Sequence, residues 1–478
     1  MASTILRSDL DAYTSCRFMV SAHAVDSRLS PNRAFQPWLD AQRRGNRFTV
    51  DRIPFDALAG WRFEDESGNL VHQSGKFFSV VGLDVRTEWG ECRTWTQPII
   101  HQPEIGILGI LVREFDGILH CLMQAKFEPG NVNGIQLSPT VQATRSNYTG
   151  VHQGKDITYL NYFVPPRRGE VLIDSLQSEQ GSWFLHKRNR NIVVEAVEDV
   201  PVRDGFRWLT IGQIHRLLLQ DNLVNMDSRS VLSCIPFWAP NGGPRAHACG
   251  AYREALLRSV SAGEHQSLHS TGEILSWLTD AKSRHELVQR IVPLRDVKHW
   301  YQTPDEIAHE MGRYFTVLAA DVEASNREVL RWTQPLLAPV EPGLVALLAR
   351  PVNGVLHLLM HAKMEAGLSD FAELAPTVQC VPGNTEDLPA QHRPRYLSLV
   401  RGADPARIRY DVVQSEEGGR LYHAANRYQI IDLGEDLPLD VPDDYRWMTV
   451  RQVTELLQYN NYVNIQARSL LAALHTTW

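Results

Sequence analysis

The sequence has few of the features that mark several large classes of protein. Its six cysteines form no C-x-x-C pair and keep no zinc-ligand spacing with histidine, which excludes the common structural zinc motifs. No apolar run approaches the length that spans a membrane, and the N-terminus lacks the apolar core of a signal peptide. There is no basic excess either, because the net charge is −7. We therefore expect a soluble protein of the cytoplasm, with no nucleic-acid or membrane partner.

Nucleotide-binding loops of the common kinds are also missing. Neither a G-x-G-x-x-G motif nor a Walker-type loop occurs in the 478 residues. The composition is that of an ordinary globular protein, 43% hydrophobic and 22% charged. Any anionic ligand must then be bound by local clusters of Lys and Arg.

What the chain does contain is a long internal repeat. Four motifs recur, each pair 237 residues apart: W-T-Q-P at 95–98 and 332–335, A-K-F-E (A-K-M-E) at 125–128 and 362–365, P-T-V-Q at 139–142 and 376–379, and Q-S-E at 177–179 and 414–416. Motifs that keep one register over such a span indicate two fused copies of one domain. We place the first repeat at 1–238 and the second at 245–478, separated by a segment rich in Pro and Gly.

The repeat also explains the cysteines. Cys92 and Cys121 align with Val329 and Leu358 in the second copy. An aliphatic residue at the equivalent position indicates thiols that serve as small apolar filler in a reducing compartment.

Both copies show the same order of strand and helix signals. A helical stretch with a Trp-Leu pair comes first, β-rich runs follow, and a helix with a capping box closes each copy. The capping boxes are Thr210-x-x-Gln213 and Thr449-x-x-Gln452. Asp116-Gly117 and Asn353-Gly354 predict the tight turn of a long hairpin in each copy. We predict an α+β fold in which each copy is a mixed sheet with flanking helices, and not a doubly wound sheet.

The W-T-Q-P motif admits two interpretations. Trp95 can pack across a sheet while the proline stops the strand. Alternatively, the indole stacks on a base and the amide of Gln97 bonds to its edge, and such stacking is worth roughly 1–3 kcal/mol. Both interpretations stay open.

Lys126 and Glu128 stand two apart at the end of a strand, so they point to the same face. They form either a solvated ion pair at a sheet edge or a charged pair that lines a pocket and tunes its own pKa values. Lys363 and Glu365 repeat the pattern.

The loop after P-T-V-Q differs between the copies. Residues 143–149 read Ala-Thr-Arg-Ser-Asn-Tyr-Thr, whereas residues 380–385 read Cys-Val-Pro-Gly-Asn-Thr. Arg can fork onto a phosphate, Ser, Asn and Thr can bond hydroxyls, and Tyr can stack or donate a proton. An ordinary polar turn is the alternative. This difference leads us to place the working site in the first copy.

Further polar residues recur past Q-S-E. His186 and Arg190 return as His423 and Arg427, whereas Lys187 and Arg188 do not return and suit a solvated face. Asn and Arg residues of the last helix in each copy are interpreted as structural, because asparagine often caps helix ends.

Taken together, the motifs R-T-W-T-Q-P, A-K-F-E-x-G, P-T-V-Q-A-T-R-S-N-Y-T and Q-S-E-Q-G-x-x-F-x-H resemble the NDP-hexose 2,3-dehydratases. These enzymes serve deoxysugar biosynthesis for glycosylated natural products such as antibiotics. The resemblance covers nearly the whole chain.

The resemblance implies a dTDP-4-keto-6-deoxy-glucose substrate that loses water across carbons 2 and 3, giving a 3,4-diketo-2,6-dideoxy sugar nucleotide. It also implies a homodimer, two Nudix-like domains in each subunit, no redox cofactor or metal, and functional coupling to an NADPH-dependent 3-ketoreductase. Neither copy contains the Nudix box G-x5-E-x7-R-E-x-x-E-E, so the carboxylates for pyrophosphate hydrolysis are missing.

As a hypothesis, Glu128 or Tyr148 handles the proton, and Lys126 stabilises the enolate. Arg145 and Arg190 hold the diphosphate, and Trp61 or Trp95 stacks on thymine. The full set of substrate-binding candidates is Trp61, Trp95, Gln97, Gln142, Thr144, Arg145, Ser146, Asn147, Thr149, His186 and Arg190. A second, vestigial or purely binding pocket is expected at Trp332, Lys363, Glu365, Gln379 and Arg427.

Two alternatives remain. The chain can be a non-catalytic nucleotide-sugar binding protein, because none of these spacings is diagnostic of catalysis. A degenerate Nudix hydrolase is the other alternative, and the missing carboxylates count against it.

Overall fold

The computed structural model describes residues 12–89, 92–148, 157–237, 250–325 and 329–477. Thr149 and almost all of the segment between the repeats lie outside these ranges. The first copy contains strands β1 (Phe48–Ile53), β2 (Trp61–Phe63), β3 (Leu70–His72), β4 (Ser79–Thr87), β5 (Thr94–His101), β6 (Gly106–Phe115), β7 (Ile118–Phe127), β8 (Ile135–Ser138), β9 (Val141–Ala143), β10 (Gly169–Ser178), β11 (Phe184–Leu185), β12 (Arg188–Ala196) and β13 (Phe206–Thr210). The second copy contains β14 (Leu287–Val292), β15 (Trp300–Gln302), β16 (Glu306–His309), β17 (Phe315–Ala324), β18 (Arg331–Pro339), β19 (Gly343–Val352), β20 (Val355–Lys363), β21 (Glu373–Ala375), β22 (Val378–Cys380), β23 (Ile408–Ser415), β24 (Ala425–Asp432) and β25 (Tyr445–Thr449).

Helices flank these strands, as the sequence predicts. They are α1 (Ala12–His23), α2 (Phe35–Gly45), α3 (Arg145–Tyr148), α4 (Ile211–Leu217), α5 (Met226–Ser233), α6 (Ala251–Val260), α7 (Thr271–Arg284), α8 (Leu397–Arg401), α9 (Val450–Leu456) and α10 (Ile465–Leu474). Both predicted capping boxes are present, at the starts of α4 and α9. Among the helices described, none is long and apolar enough to cross a membrane.

Each copy builds one large mixed sheet with the same topology. The order is β10-β12-β6-β7-β13 in the first copy, and β23-β24-β19-β20 with β25 beside β20 in the second. The β12–β6 and β24–β19 pairs are parallel, whereas the hairpins β6–β7 and β19–β20 are antiparallel. The hairpin turns are the predicted ones: Asp116 and Gly117 have φ of 51° and 77°, and Asn353 and Gly354 have φ of 50° and 77°. The α+β prediction is confirmed.

The W-T-Q-P motifs lie inside strands of two smaller sheets. The prediction that proline stops the strand is wrong, because β5 continues past Pro98 to His101 and β18 continues past Pro335 to Pro339. A proline costs a sheet one N–H donor, which is tolerated where that bond is not needed. The motif therefore positions side chains along a continuous strand.

The smaller sheets exchange strands between the copies. Strand β1 of the first copy pairs antiparallel with β17 of the second, with Phe48 opposite Ala324. Strand β14 of the second copy pairs in the same way with β4 of the first, with Leu287 opposite Thr87. Each copy therefore completes the other's sheet, and the largest hydrophobic cluster also draws residues from both copies.

Helices α5 and α10 pack against each other where the copies meet. Their arginines, Arg229 and Arg468, are 0% and 1% exposed. Arg229 Nη2 donates to the carbonyl of Ser415 at 2.7 Å, and Arg468 Nη2 donates to that of Ser178 at 2.5 Å. Each guanidinium thus reaches the Q-S-E strand of the opposite copy. We call this reciprocal pair the arginine clamp.

We predict that Arg468→Met lowers the free energy of unfolding by about 3 kcal/mol, because it leaves buried carbonyl groups without their charged donor. Chemical denaturation followed by tryptophan fluorescence measures the change. Arg28→Met, at an exposed position, is the control and should leave the midpoint unchanged. Equal midpoints for the two variants would show that the clamp adds nothing to stability.

Candidate functional site

A cavity of about 430 Å³ lies where the first copy's large sheet meets the second copy's W-T-Q-P strand. This volume falls in the range of small-ligand pockets. Its lining comes from both copies. First-copy residues in the wall include Trp61, His72, Phe78, Gln102, Lys126, Glu128, Gln142, Thr144, Glu179, Lys187, Asn189 and Asp227, and second-copy residues include Arg331, Trp332, Thr333, Gln334, Glu417 and Arg420.

The end of β7 supplies the predicted charged pair. Lys126 and Glu128 are buried, at 8% and 5% exposure. Lys126 Nζ donates to the carbonyl of Gln142 at 2.8 Å, and the Gln142 amide donates to Glu128 Oε1 at 2.6 Å. The amide of Asn225 in turn donates to Gln142 Oε1 at 3.0 Å. This relay fixes the Glu128 carboxylate on the cavity wall.

Asn225 has a second task, which ties the relay to helix α5. It is the N-cap of the helix, and its side-chain oxygen accepts a bond from the Ser228 amide at 2.9 Å. Asn464 caps α10 in the same way. Asp227 follows in the first turn of α5 and lines the cavity. Within the described residues its Oδ1 is buried and has no hydrogen-bond partner.

A third carboxylate and a second lysine come from the ends of strands β10 and β12 of the same sheet. Glu179 ends the Q-S-E motif and accepts a bond from the Asn189 amide at 2.9 Å. Lys187 donates to the carbonyl of Glu104. Both side chains are buried, so the solvated face expected for Lys187 is wrong. The cavity thus holds cations and anions from the ends of several strands of one sheet.

The second copy closes the cavity with its W-T-Q-P strand and the loop 417–420. Trp332 Nε1 donates to Gln334 Oε1 at 2.8 Å, and the Gln334 amide donates to the carbonyl of Gly419 at 2.7 Å. Trp61 of the first copy donates to the carbonyl of Thr333 at 2.9 Å. These bonds hold Glu417 and Arg420 at the first copy's charged pair.

The same arrangement occurs in reverse around Glu365. The Gln97 amide donates to the carbonyl of Ser182 at 2.9 Å, and the Ser182 hydroxyl donates to Glu365 Oε1 at 3.0 Å. Gln379 also donates to Glu365 Oε1, at 2.8 Å. The loop after each Q-S-E motif therefore lies on the other copy's charged pair.

Burial and like charges shift the pKa values of the cavity's acids upward. Burial, together with the neighbouring Glu417, raises the pKa of Glu179 to about 7. Burial and the charge of Glu128 raise the pKa of Glu417 to about 7 against the opposing effect of Arg420. Burial, Glu179, Glu128 and Glu417 raise the pKa of Asp227 well above its ordinary value.

The lysine opposite these acids is shifted the other way. Burial, with the nearby Arg420, lowers the pKa of Lys187 to about 8. A lysine and several carboxylates that change charge near neutral pH are typical of a site that transfers protons.

Three of these charged residues have a neutral residue at the equivalent position of the other copy. Sequence alignment places Gln180 opposite Glu417, Gln466 opposite Asp227 and Ala424 opposite Lys187. Gln180 donates through its amide to the Glu416 carboxylate, which also accepts bonds from Asn426 and Tyr428 at 2.7 Å each. The carboxylate of the second copy is thus paired with neutral donors, whereas that of the first faces other acids.

The structure distributes the predicted residues unevenly. Lys126, Glu128, Trp61, Gln142 and Thr144 line the cavity. Trp332, expected in the second pocket, lines it too, because strand β18 crosses to the first copy's site. Trp95 and Gln97, in the equivalent strand β5, lie instead near Glu365 of the second copy: Trp95 donates to Gln97, and Gln97 donates to Ser182, which contacts Glu365.

Other predicted residues make contacts away from the cavity. Arg190 forms an ion pair with Asp174, and its equivalent Arg427 does so with Asp411. His186 bonds to Gln289 at 2.8 Å.

The differing loop is anchored beside the cavity. Ser146 donates from its amide and its hydroxyl to the Glu104 carboxylate, at 2.7 and 2.9 Å. Arg145 begins the short helix α3 and is exposed. Thr149 and the side chains of Asn147 and Tyr148 lie outside the described part of the chain.

Sequence reasoning missed several charged residues of the cavity. They are Glu179, Lys187, Asp227, Arg331, Glu417 and Arg420. A difference between the copies marks most of them, and it is the same signal that singled out the loop 143–149. In the ranges that the structure covers, no group of three or more His, Cys, Asp or Glu side chains is placed to hold a metal ion.

Comparison with known proteins agrees with the duplication. A family model described as NDP-hexose 2,3-dehydratase matches residues 32–235 and again residues 271–474. A dTDP-4-dehydro-6-deoxy-alpha-D-glucopyranose 2,3-dehydratase of Saccharopolyspora spinosa is 52% identical over 463 residues, which are 97% of this chain and 95% of the relative. Proteins of the same name from Amycolatopsis orientalis and Streptomyces violaceoruber are 48% and 47% identical, over 96% and 94% of this chain and 93% and 98% of the relatives.

We predict that Glu417→Gln raises thermal stability at pH 8 but not at pH 5. The pKa of Glu417 is about 7 in the folded chain and near its ordinary value of 4.5 when unfolded. The folded state therefore holds the extra proton, and its stability falls as the pH rises from about 4.5 through 7. The glutamine removes that loss, which is on the order of 3 kcal/mol at pH 8, at about 1.4 kcal/mol for each pKa unit.

Differential scanning calorimetry at the two pH values measures this effect. Glu435→Gln, at an exposed position, is the control. A gain of the same size at both pH values would show that the buried charge is not its source.

Proposed function

Because this chain belongs to the NDP-hexose 2,3-dehydratase family, we propose that it removes water across carbons 2 and 3 of dTDP-4-keto-6-deoxy-glucose. The product is a 3,4-diketo-2,6-dideoxy sugar nucleotide for deoxysugar biosynthesis. The relatives that cover nearly all of this chain are named for that reaction. The observation that carries the proposal to a site is the buried Lys126–Glu128 pair on the wall of the cavity.

The reaction needs a base, a group that stabilises negative charge, and an acid. The ketone at carbon 4 acidifies the hydrogen at carbon 3, so a positioned carboxylate can remove it. Glu128 is held for this role by Gln142 and Asn225. Tyr148, whose side chain the structure does not describe, is the other candidate base.

The enolate that forms requires a preorganised donor. Lys126 lies near the end of β7, two residues before Glu128, and both line the same cavity. One such donor is commonly worth a factor of 10²–10³ in rate, on the order of 3–4 kcal/mol. We assign Lys126 to the oxygen at carbon 4.

The second copy supplies cations for the diphosphate. Arg331 and Arg420 line the cavity, and the guanidinium of Arg420 lies 4.6 Å from the ring centre of Phe78. Their equivalents in the first copy are Thr94 and Trp183, which carry no charge. Arg145, next to Thr144 of the cavity wall, remains a candidate for the same role. Trp61 and Trp332 provide the aromatic faces for thymine.

The resemblance suggests further properties that belong to this proposal. We propose a homodimer of subunits with two Nudix-like domains, acting in the cytoplasm without a redox cofactor and feeding an NADPH-dependent 3-ketoreductase. The first repeat, 1–238, carries the working site together with loops of the second repeat, 245–478. The pocket around Lys363, Glu365 and Gln379 is vestigial or only binds.

The test is to incubate the purified protein with dTDP-4-keto-6-deoxy-glucose, a 3-ketoreductase and NADPH, without added metal. We predict protein-dependent formation of a 2-deoxy sugar nucleotide, or of released TDP when the reductase is omitted. Tight dTDP binding without turnover would support a binding protein instead. Metal-dependent release of a sugar phosphate would support a degenerate hydrolase.

We predict that Glu128→Gln lowers kcat by a factor of about 10²–10⁴, the usual contribution of a general base. The equivalent change in the second copy, Glu365→Gln, is the matched control and should leave kcat within about threefold of the parent. Both are measured in the coupled assay after near-ultraviolet circular dichroism confirms the fold. A reversed result would place the working site at Glu365.

A further inference from the structure

Elimination of a hydroxyl group needs a proton donor that Lys126 and Glu128 do not provide. Hydroxide is a poor leaving group, so the oxygen at carbon 2 must be protonated as the bond to carbon breaks. Glu128 begins the reaction as a carboxylate and Lys126 is committed to the enolate. The donor must be another neutral acid on the cavity wall.

Asp227 meets the geometric conditions for this acid. It lies in the first turn of α5, two residues after Asn225, which fixes the base. It lines the cavity and is 4% exposed, and its Oδ1 has no hydrogen-bond partner among the described residues. A buried polar atom without a partner is costly unless a ligand completes its bonds.

The charges around Asp227 keep it protonated. The neighbouring carboxylates are Glu128, just after β7, Glu179, just after β10, and Glu417 in the second copy's loop, and the opposing cations are Lys126 and Arg468. Several carboxylates in one buried site cannot all ionise. Burial and these carboxylates raise the pKa of Asp227 well above its ordinary value, which favours the protonated form that a proton donor requires.

The second copy shows that the fold does not require an acid here. Gln466 occupies the equivalent position in α10, and α10 is capped by an asparagine just as α5 is. The loop that follows the Q-S-E motif of the first copy is likewise neutral at the position equivalent to Glu417, where it has Gln180. Both acids are therefore confined to the site that we assign to catalysis.

We propose that Asp227 is the general acid that protonates the hydroxyl leaving carbon 2, and that Glu417 of the second copy is a positioning residue that keeps Asp227 protonated. This inference rests on the proposed function.

The proton balance is complete without a co-reactant. Glu128 takes the proton from carbon 3, and the resulting electron pair forms the enolate. As the enolate collapses, the bond between carbon 2 and oxygen breaks, and Asp227 delivers its proton to that oxygen to give water. The hydroxyl at carbon 3 is now an enol, and its proton moves to carbon 2 to give the diketone. The proton held by Glu128 returns to Asp227 through solvent.

The leaving group separates this role from a structural one. Fluoride leaves without being protonated, so a substrate with fluorine in place of the hydroxyl at carbon 2 gives the same product and bypasses the acid. We expect Asp227→Asn to lower water elimination at least 100-fold while fluoride release from the fluoro analogue stays within about tenfold of the parent. Exchange of the hydrogen at carbon 3 in D₂O, which reports the first step, should also be retained.

A second variant tests Glu417. Glu417→Gln removes one negative charge beside Asp227, so the pKa of Asp227 should fall. The alkaline limb of the kcat profile for water elimination should then move to lower pH, and that for fluoride release should not move. A variant that only loosened the fold would lower both rates at every pH.

Three results would overturn the inference. They are full water elimination by Asp227→Asn, equal loss of water and fluoride elimination, and loss of exchange at carbon 3 in that variant. The parent protein provides the separate check on the proposed function. If the parent neither exchanges the hydrogen at carbon 3 nor eliminates water, the dehydratase assignment fails first, and the assignment of Asp227 falls with it.

Discussion

The arginine clamp is the interaction on which the rest of the structure depends. Arg229 and Arg468 are fully buried charges, and each donates to one carbonyl of the opposite copy's Q-S-E motif and to one carbonyl of its own copy. A buried arginine without those partners would carry a desolvation penalty of several kcal/mol. The copies therefore stay locked in one relative position, and the loop after each Q-S-E motif is held against the other copy's charged pair. The exchange of β1 and β14 joins the same two copies through a second set of contacts.

Interlocked copies allow a duplicated protein to build one site from two unlike parts. Were the copies separate, a change in one would alter only its own pocket. Here the loop 417–420 brings Glu417 and Arg420 to the first copy, while the corresponding loop brings Gln180 to the second. A few substitutions thus make the first cavity rich in charge and leave the Glu416 carboxylate paired with neutral donors. The asymmetry between the sites follows from the sequence differences and the crossing of the loops together.

The sequence predicts what is local in this fold and misses what is distant. Asp116-Gly117 and Thr210-x-x-Gln213 act through neighbours a few residues away, so the hairpin and the capped helix are confirmed. The pairing of Phe48 with Ala324 has no local signature, because either partner also suits a strand within its own copy. For the same reason Trp332 was expected beside Lys363. Comparison of the copies can identify Asp227 and Glu417 as unusual, but only the three-dimensional arrangement shows that both face one cavity.

The acids of the cavity are a cost to folding, and two of them are replaced by neutral amides at the equivalent positions of the other copy. Glu179 and Asp227 are buried, Glu417 is half-buried beside them and Glu128, and desolvation disfavours the charge of each. Gln466 of the second copy and Gln180 of the first stand at the positions equivalent to Asp227 and Glu417, in the same helix and the same loop. Neutral amides are therefore compatible with the fold, and the acids are not explained by packing. Catalytic sites commonly retain such destabilised groups, because a group whose protonation state is strongly stabilised has little tendency to exchange a proton. The position of Asp227 beside the base makes its burial useful, since the same surroundings that oppose its charge hold the proton ready for the substrate.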